Sequence, residues 1–117
     1  MKDKELIRKL NSVGKTVFAT NFSLFKSFAE RAISRQRCIN SLVLSGVSNE
    51  EGAAIRTSNA ELIFRSCREY DALLLVSKST RIAPSAVRAA SALLREADIQ
   101  YSASHLEAHR KTPDLET

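Results

Sequence analysis

A shortage of turn-forming residues constrains the fold of this 117-residue chain more than any motif does. The chain has three glycines and two prolines, where average usage would give about eight and about six. Alanine and serine each occur fifteen times, and leucine occurs thirteen times. Many helix formers and few turn formers favour helices joined by short connections. We therefore predict an all-α fold, a compact bundle of five or six short helices.

Apolar spacing places the first helices. Leu6, Leu10 and Val13 form an i, i+4, i+7 stripe, and Gly14 is a suitable end for that helix. The next segment, residues 17–28, holds four of the five phenylalanines and is apolar around more than half of its helical circumference. Its apolar members are Val17, Phe18, Phe22, Leu24, Phe25 and Phe28. This segment is predicted to be one helix and the centre of the core.

Helix-start signals recur in the middle of the chain. Ser34 can cap a helix that runs to about residue 45 and ends at Gly46. Ser48–Glu51 and Ser58–Glu61 both have the spacing of a capping box. Two starts ten residues apart predict a short helix, a bend near Thr57 and a new helix from about residue 59. The alternative is one continuous helix in which Ser58 faces solvent.

Two apolar runs are ambiguous between helix and strand. Residues 72–76 are five apolar residues in a row, and residues 41–46 read "SLVLSG". Buried strands favour valine and isoleucine, whereas the first run has three leucines and one valine. We therefore favour helix, with a small α/β fold having strands near 41–45 and 72–77 as the alternative.

The end of the chain differs in character from the rest. Pro84 is suited to the first position of a helix. After Asp98 the chain becomes polar, and Ser104 and Glu107 have capping-box spacing for a short helix of about 105–111. We predict a helical domain over 1–98 and a polar C-terminal tail over 99–117.

No motif indicates catalysis, a cofactor or a metal. Cys38 and Cys67 lie far apart without a CxxC, so both are expected to pack as small hydrophobic residues. "GKT" at 14–16 lacks the glycine that a P-loop needs five positions earlier. His105 and His109 read H-x-E-x-H rather than H-E-x-x-H, and no third ligand is evident. We predict a protein that is not an enzyme, with no catalytic residues, no metal and no cofactor.

Charge favours a polyanionic partner. The net charge is +5, but residues 1–95 hold sixteen Lys/Arg against eight Asp/Glu, whereas residues 96–117 hold two against five. A basic body with an acidic tail is a familiar pattern among nucleic-acid binders. No stretch reaches the ~20 apolar residues of a membrane span. The N-terminus has no apolar signal region, so a cytoplasmic location is expected.

Residues 35–57 resemble a helix-turn-helix in outline. The first helix would cover about 35–45, "GVS" would be the turn, and about 49–57 would lie in the groove of DNA. Gly46 and Ile55 fall where such a unit has its turn glycine and a buried aliphatic residue. Glu50 and Glu51 fit less well, because at the groove mouth they would repel phosphates.

We predict a small basic DNA-binding regulator of transcription, with DNA favoured over RNA and a homodimer expected. The candidate nucleic-acid-binding residues are Arg35, Arg37, Arg56, Asn59 and Arg65. Arg35 and Arg37 are assigned to phosphate, and Arg56 and Asn59 to base edges. Arg31 could face the same side as Arg35 and Arg37.

The alternative function is a non-enzymatic helical module for protein–protein interaction, such as an adaptor, an inhibitor or an assembly subunit. Its docking surface would be the apolar surface near Phe18, Phe22 and Leu24, or the run at 72–76.

Overall fold

Seven α-helices make up the part of the chain that the computed structural model describes, which is the backbone of residues 1–110 and the side chains of residues 1–98. They are α1 (Asp3–Val13), α2 (Lys15–Thr20), α3 (Phe22–Ala29), α4 (Arg35–Leu44), α5 (Glu50–Arg65), α6 (Glu69–Ser77) and α7 (Pro84–Arg110). The all-α prediction is confirmed. The alternative with strands is wrong, because the run at 41–45 ends α4 and the run at 72–77 lies in α6.

The phenylalanine-rich segment is two helices rather than one, and this division raises the helix number above the predicted five or six. α2 and α3 meet at Asn21, whose backbone has φ −117° and ψ 23°. The Asn21 side-chain amide donates to the carbonyl oxygen of Val17 at 3.1 Å. Such a local side-chain bond competes with the regular helical ladder and favours a change of direction.

The phenylalanines of α2 and α3 form the centre of the core, as predicted. The rings of Phe18 and Phe25 are fully buried and stack with their centroids 6.3 Å apart. The Phe22 ring meets Phe18 edge-on at 5.8 Å. Phe18 and Phe22 therefore pack in the core, and of the three residues predicted to mark a docking surface there only Leu24 is half-buried rather than buried.

The neighbouring helices bury their predicted stripes against these rings. Leu6, Leu10 and Val13 of α1 are buried, and the helix ends at Gly14, which has φ +93°. α6 buries Ala72, Leu73 and Val76. These contacts enclose one continuous hydrophobic core.

α5 is one uninterrupted helix, so the predicted division near Thr57 is wrong and the alternative of a continuous helix is confirmed. Its N-cap is Asn49, whose side-chain oxygen accepts from the amide of Gly52 at 2.8 Å. The Ser48 hydroxyl donates to the carbonyl oxygen of Asn49 instead. Neither predicted capping box forms, because Asn49 takes the capping position and residue 58 lies inside the helix.

Three helices end in the same hydrogen-bonded turn. After α3, the amide of Ala32 donates to the Ser27 carbonyl and the amide of Arg31 to the Phe28 carbonyl, which is a Schellman motif. The equivalent turns after α4 and α5 have their left-handed residue at Gly46 and Cys67. α4 itself is capped by Ser34, whose hydroxyl accepts from the Arg37 amide, as predicted.

Arg31, with φ +65°, and Cys67, with φ +56°, are the non-glycine residues at these turns. Cys38 is buried, as predicted, but Cys67 is exposed rather than packed. The turn itself explains the exposure, since it lies at the surface between α5 and α6.

α7 begins at Pro84, as predicted, and is one helix to Arg110, so no new helix starts after Ser104. Ala86 and Ala90 are its buried residues among those described. The side chains of His105 and His109 and all of residues 111–117 lie outside the described residues, so the division of the chain at residue 98 stays a prediction. None of the described helices combines the length and the apolarity that crossing a bilayer would need.

Candidate nucleic-acid interface

Three arginines from two parts of the sequence line one open cleft of about 540 Å³. Arg31 and Arg35 flank the turn between α3 and α4, and Arg65 is the last residue of α5. The remaining lining residues are Phe28, Ala32, Ile33, Ser34 and Glu61. We call this surface the arginine cleft. Its three guanidinium groups and one carboxylate have a net charge of +2.

Glu61 forms ion pairs with two of the three arginines. Its Oε2 lies 3.2 Å from Nη2 of Arg65 and 3.8 Å from Nη2 of Arg31. The Glu61 side chain is 19% exposed, whereas those of Arg31 and Arg65 are 65% and 53% exposed. Exposed ion pairs of this kind are weak. Glu61 therefore holds Arg31 and Arg65 only loosely, and more than half of each arginine side chain stays open to solvent.

Arg35 is the first residue of α4, directly after the N-cap Ser34. Its Nη2 donates to the carbonyl oxygen of Ala54 on α5 at 3.4 Å, so the side chain spans the two helices. The N-terminal end of a helix carries partial positive charge. The start of α4 therefore adds to the positive potential that the arginines produce.

Arg37 is exposed but does not line the cleft. Residues two apart on a helix point in different directions, so Arg35 and Arg37 do not share a side of α4. Of the five predicted residues, Arg35 and Arg65 are therefore brought together, and Arg31 joins them.

Arg56 lies elsewhere, in the contact between α1 and α5. It is half-buried, and its Nη1 donates to the main-chain carbonyl oxygen of Val13. The amide of Asn59 donates to the carbonyl oxygen of Ile55 at 3.0 Å, one turn earlier in its own helix. Neither side chain lines the arginine cleft.

Arg68 is also bound within the fold. Its guanidinium donates to the carboxylates of Asp3 and Asp71 and to the carbonyl oxygen of Met1, at 2.6–2.7 Å. The hydrogen bonds to Asp3 and Asp71 raise the pKa of Arg68 further above its already high value. Its charge is matched by two acids and adds little to any anion-binding surface.

Residues 49–57, predicted to lie in the groove of DNA, have a geometry that is unfavourable for that role. Ile55 is 52% exposed, so its prediction as a buried aliphatic residue is wrong. The physical reason is the continuous α5, which places Ile55 on the side away from Ala53, Thr57 and Ala60. Glu50 and Glu51 are exposed in the first turn. This end of α5 presents negative charge where DNA phosphates would approach.

A second cavity adjoins the arginine cleft, and sequence analysis missed it. It has a volume of about 220 Å³ and is lined by Phe22, Lys26, Ala29, Glu30, Phe64, Arg65, Glu69 and Tyr70. We call it the aromatic pocket. Arg65 lines both cavities. The signal in the sequence was weak, because the three aromatic residues are spread over α3, α5 and α6.

The aromatic rings of this pocket are in mutual contact. The Phe22 centroid lies 5.1 Å from that of Phe64 and 6.1 Å from that of Tyr70. Partial burial raises the pKa of Glu69, an effect that its own backbone amide and the charge of Lys26 oppose. Lys26 also pairs with Glu30 at 3.9 Å. The pocket therefore combines aromatic walls with balanced charge.

Among the residues whose side chains are described, no group of three or more His, Cys, Asp or Glu is placed to bind a metal. Family models, curated proteins and solved structures give no significant match to this chain.

Proposed function

We propose that this chain is a DNA-binding protein that holds the phosphate backbone in the arginine cleft. The observation that carries the proposal is the convergence of Arg31, Arg35 and Arg65 on one surface with a single carboxylate. Arginine forks suit phosphate oxygens, and phosphate contacts dominate the affinity of most DNA-binding proteins. The basic balance of residues 1–95 supports the same function.

In this function the arginines have roles that differ from those predicted from sequence. Arg35 and Arg65 contact phosphate together with Arg31, and Arg37 contacts phosphate outside the cleft. Arg56 serves the fold through Val13 and is not assigned to a base. A helix-turn-helix docking of α5 has less support than backbone binding, because Glu50 and Glu51 lie at its exposed start.

A salt titration of DNA binding tests this function. Fluorescence anisotropy with labelled mixed-sequence DNA is measured at about 50 mM and about 200 mM salt, a range over which phosphate contacts weaken strongly. The variant Arg31→Gln/Arg35→Gln should bind about tenfold more weakly, and its salt slope should fall by about two. The control Arg81→Gln/Arg88→Gln removes the same charge from exposed positions that do not line the cleft.

The control should change affinity less than about threefold, since only long-range charge is lost. Equal losses in the two variants would show that binding is diffuse and that the cleft is not its site. No binding at low salt by the parent protein would reject the function. The DNA-binding form is expected to be a homodimer, and light scattering of the free and bound protein measures its molecular mass.

The second candidate function is a protein-interaction module, and one cavity favours it. Ile7 of α1 and Leu74 of α6 are exposed apolar residues that line a groove of about 240 Å³. Leu74 lies in the run at 72–76 that was predicted as a docking surface. A partner bound through Ile7 and Leu74 should be far less sensitive to salt than DNA is.

A further inference from the structure

The aromatic pocket and the arginine cleft are neighbours that share Arg65, and they differ in chemistry. The cleft has a net charge of +2. The pocket holds Lys26 and Arg65 against Glu30 and Glu69, so its charges balance. A phosphate is favoured in the first cavity, and a neutral planar group is favoured in the second.

The size and walls of the pocket suit one nucleobase. A cavity of about 150 Å³ accommodates a benzene ring, so about 220 Å³ has room for a base at an open site. Of the three aromatic residues of the pocket, Tyr70 is the most accessible at 40% exposed, whereas Phe22 is buried at 5% exposed. Aromatic side chains of this kind stack on bases without regard to sequence.

The form of the nucleic acid follows from access to a base face. In a duplex, each base is stacked on its neighbours and its faces are covered. A single strand can unstack one base and place it on an aromatic ring while its phosphates follow a positively charged groove. The carboxylates of Glu30 and Glu69 can accept hydrogen bonds from the amino groups on a base edge.

We propose that this protein prefers single-stranded to duplex DNA, an inference that rests on the proposed function. The strand's phosphates lie along Arg31, Arg35 and Arg65. One unstacked base enters the aromatic pocket and stacks on Tyr70, with Phe22 and Phe64 behind it.

The test compares one oligonucleotide of about 12 nucleotides, within the usual range of single-strand site sizes, with the same oligonucleotide annealed to its complement. The parent protein should bind the single strand about tenfold more tightly. Tyr70→Leu, which keeps an apolar side chain but removes the ring, should weaken single-strand binding about tenfold and leave duplex binding unchanged. Tyr70→Phe, which keeps the ring, should stay within about twofold of the parent.

The outcomes separate this inference from the proposed function. Arg31→Gln/Arg35→Gln should weaken binding of both forms, because both carry phosphates. If that variant loses affinity while the parent binds both forms equally, or while Tyr70→Leu behaves as the parent, the function stands and the stacking inference is wrong. If the parent binds neither form, the proposed function fails, and the inference fails with it.

A measurement on the parent protein guards against a misfolded Tyr70→Leu variant. A single strand carrying 5-iodouracil is bound and irradiated, and the cross-linked residue is identified by mass spectrometry. Cross-linking at Tyr70 supports the stacked base. Cross-linking confined to residues outside the aromatic pocket overturns it.

Discussion

Arg56, in the middle of α5, donates a hydrogen bond from its guanidinium to the main-chain carbonyl oxygen of Val13, the last residue of α1. The last carbonyls of a helix have no partner within it and carry partial negative charge. A cation at this position satisfies one carbonyl and complements the helix dipole. The contact joins residues 43 positions apart and ties α1 to α5.

Replacing Arg56 with alanine should therefore destabilise the fold rather than weaken DNA binding. The loss of a half-buried hydrogen bond from a charged donor should lower the free energy of unfolding by about 1.5–3 kcal/mol. Urea denaturation measures the change. Arg37→Ala, at an exposed position on α4, is the control and should stay within about 0.5 kcal/mol of the parent. Equal stabilities in the two variants would contradict the role of Arg56.

Gly14 should tolerate alanine less well than Gly46. Both have positive φ, +93° and +79°, which residues with a side chain rarely adopt, so each Gly→Ala change strains the backbone; a left-handed conformation costs about 1–2 kcal/mol. At Gly14 the new Cβ would also lie 2.8 Å from Nη1 of Arg56, whereas at Gly46 it would meet no atom within 4 Å.

Gly14→Ala should therefore lower the melting temperature more than Gly46→Ala does, and the difference should shrink in an Arg56→Ala background. Calorimetry on the four variants measures it. An identical effect at the two glycines would mean that Arg56 moves aside freely and that its bond to Val13 contributes little.

Glycine in place of Cys67 should stabilise the protein. Cys67 has φ +56° in the Schellman turn after α5, where glycine has no steric penalty. Relief of the left-handed strain exceeds the entropy that glycine gains in the unfolded chain, so we expect a gain of about 0.5–1 kcal/mol. Thermal unfolding measures it.

Ser66→Gly is the matched control for Cys67→Gly. Ser66 is the adjacent residue and has an ordinary φ of −86°, so the glycine there should destabilise by roughly the entropic amount. A loss of stability in both variants would mean that the turn after α5 is not strained by its side chain.

The Cys38 thiol should make stability fall at high pH. Burial raises the pKa of Cys38 above its ordinary value of 9.0, and the hydrogen bond with Thr57 and the charge of Arg35 oppose that rise only partly. The unfolded chain then loses this proton at lower pH than the folded chain does. The stability contributed by the neutral thiol is full below pH 9.0 and is lost as pH rises from there toward the folded pKa.

The free energy of unfolding of the parent and of Cys38→Ala is compared at about pH 7 and about pH 10. The comparison isolates the contribution of the thiol proton, because the cavity left by the substitution costs the same at both pH values. The stability difference between the two proteins should narrow at the higher pH. The exposed thiol of Cys67 should react with a thiol reagent at once, and Cys38 only on unfolding. A constant difference across pH, together with two equally fast thiols, would show that Cys38 is not shielded.

Local signals predicted the elements that need no distant partner. The stripe of Leu6, Leu10 and Val13, the cap at Ser34 and the start at Pro84 each depend on residues within a few positions. The cap of α5 was misplaced by one residue, since Ser48 and Asn49 are nearly equal as caps and the path of the chain from α4 decides between them.

The continuity of α5 could not be predicted from its own residues. A continuous helix buries Thr57 and half-buries Arg56, which is unfavourable unless each finds a partner. Those partners are the Val13 carbonyl, 43 positions away, and the Cys38 thiol, 3.6 Å from the Thr57 hydroxyl and 19 positions away. Hydrogen bonds across such sequence distances form only when the helices have packed.

The sequence alone determined the all-helical class and the excess of positive charge, because helix propensity, capping and net charge are properties of neighbouring residues or simple sums. Only the tertiary structure decided which charges act together. It brought Arg31, Arg35 and Arg65 to one cleft and used Arg56 and Arg68 to join helices. The physical reason is that a guanidinium can bind an anion or stabilise the fold, and the groups that packing brings within its reach determine which.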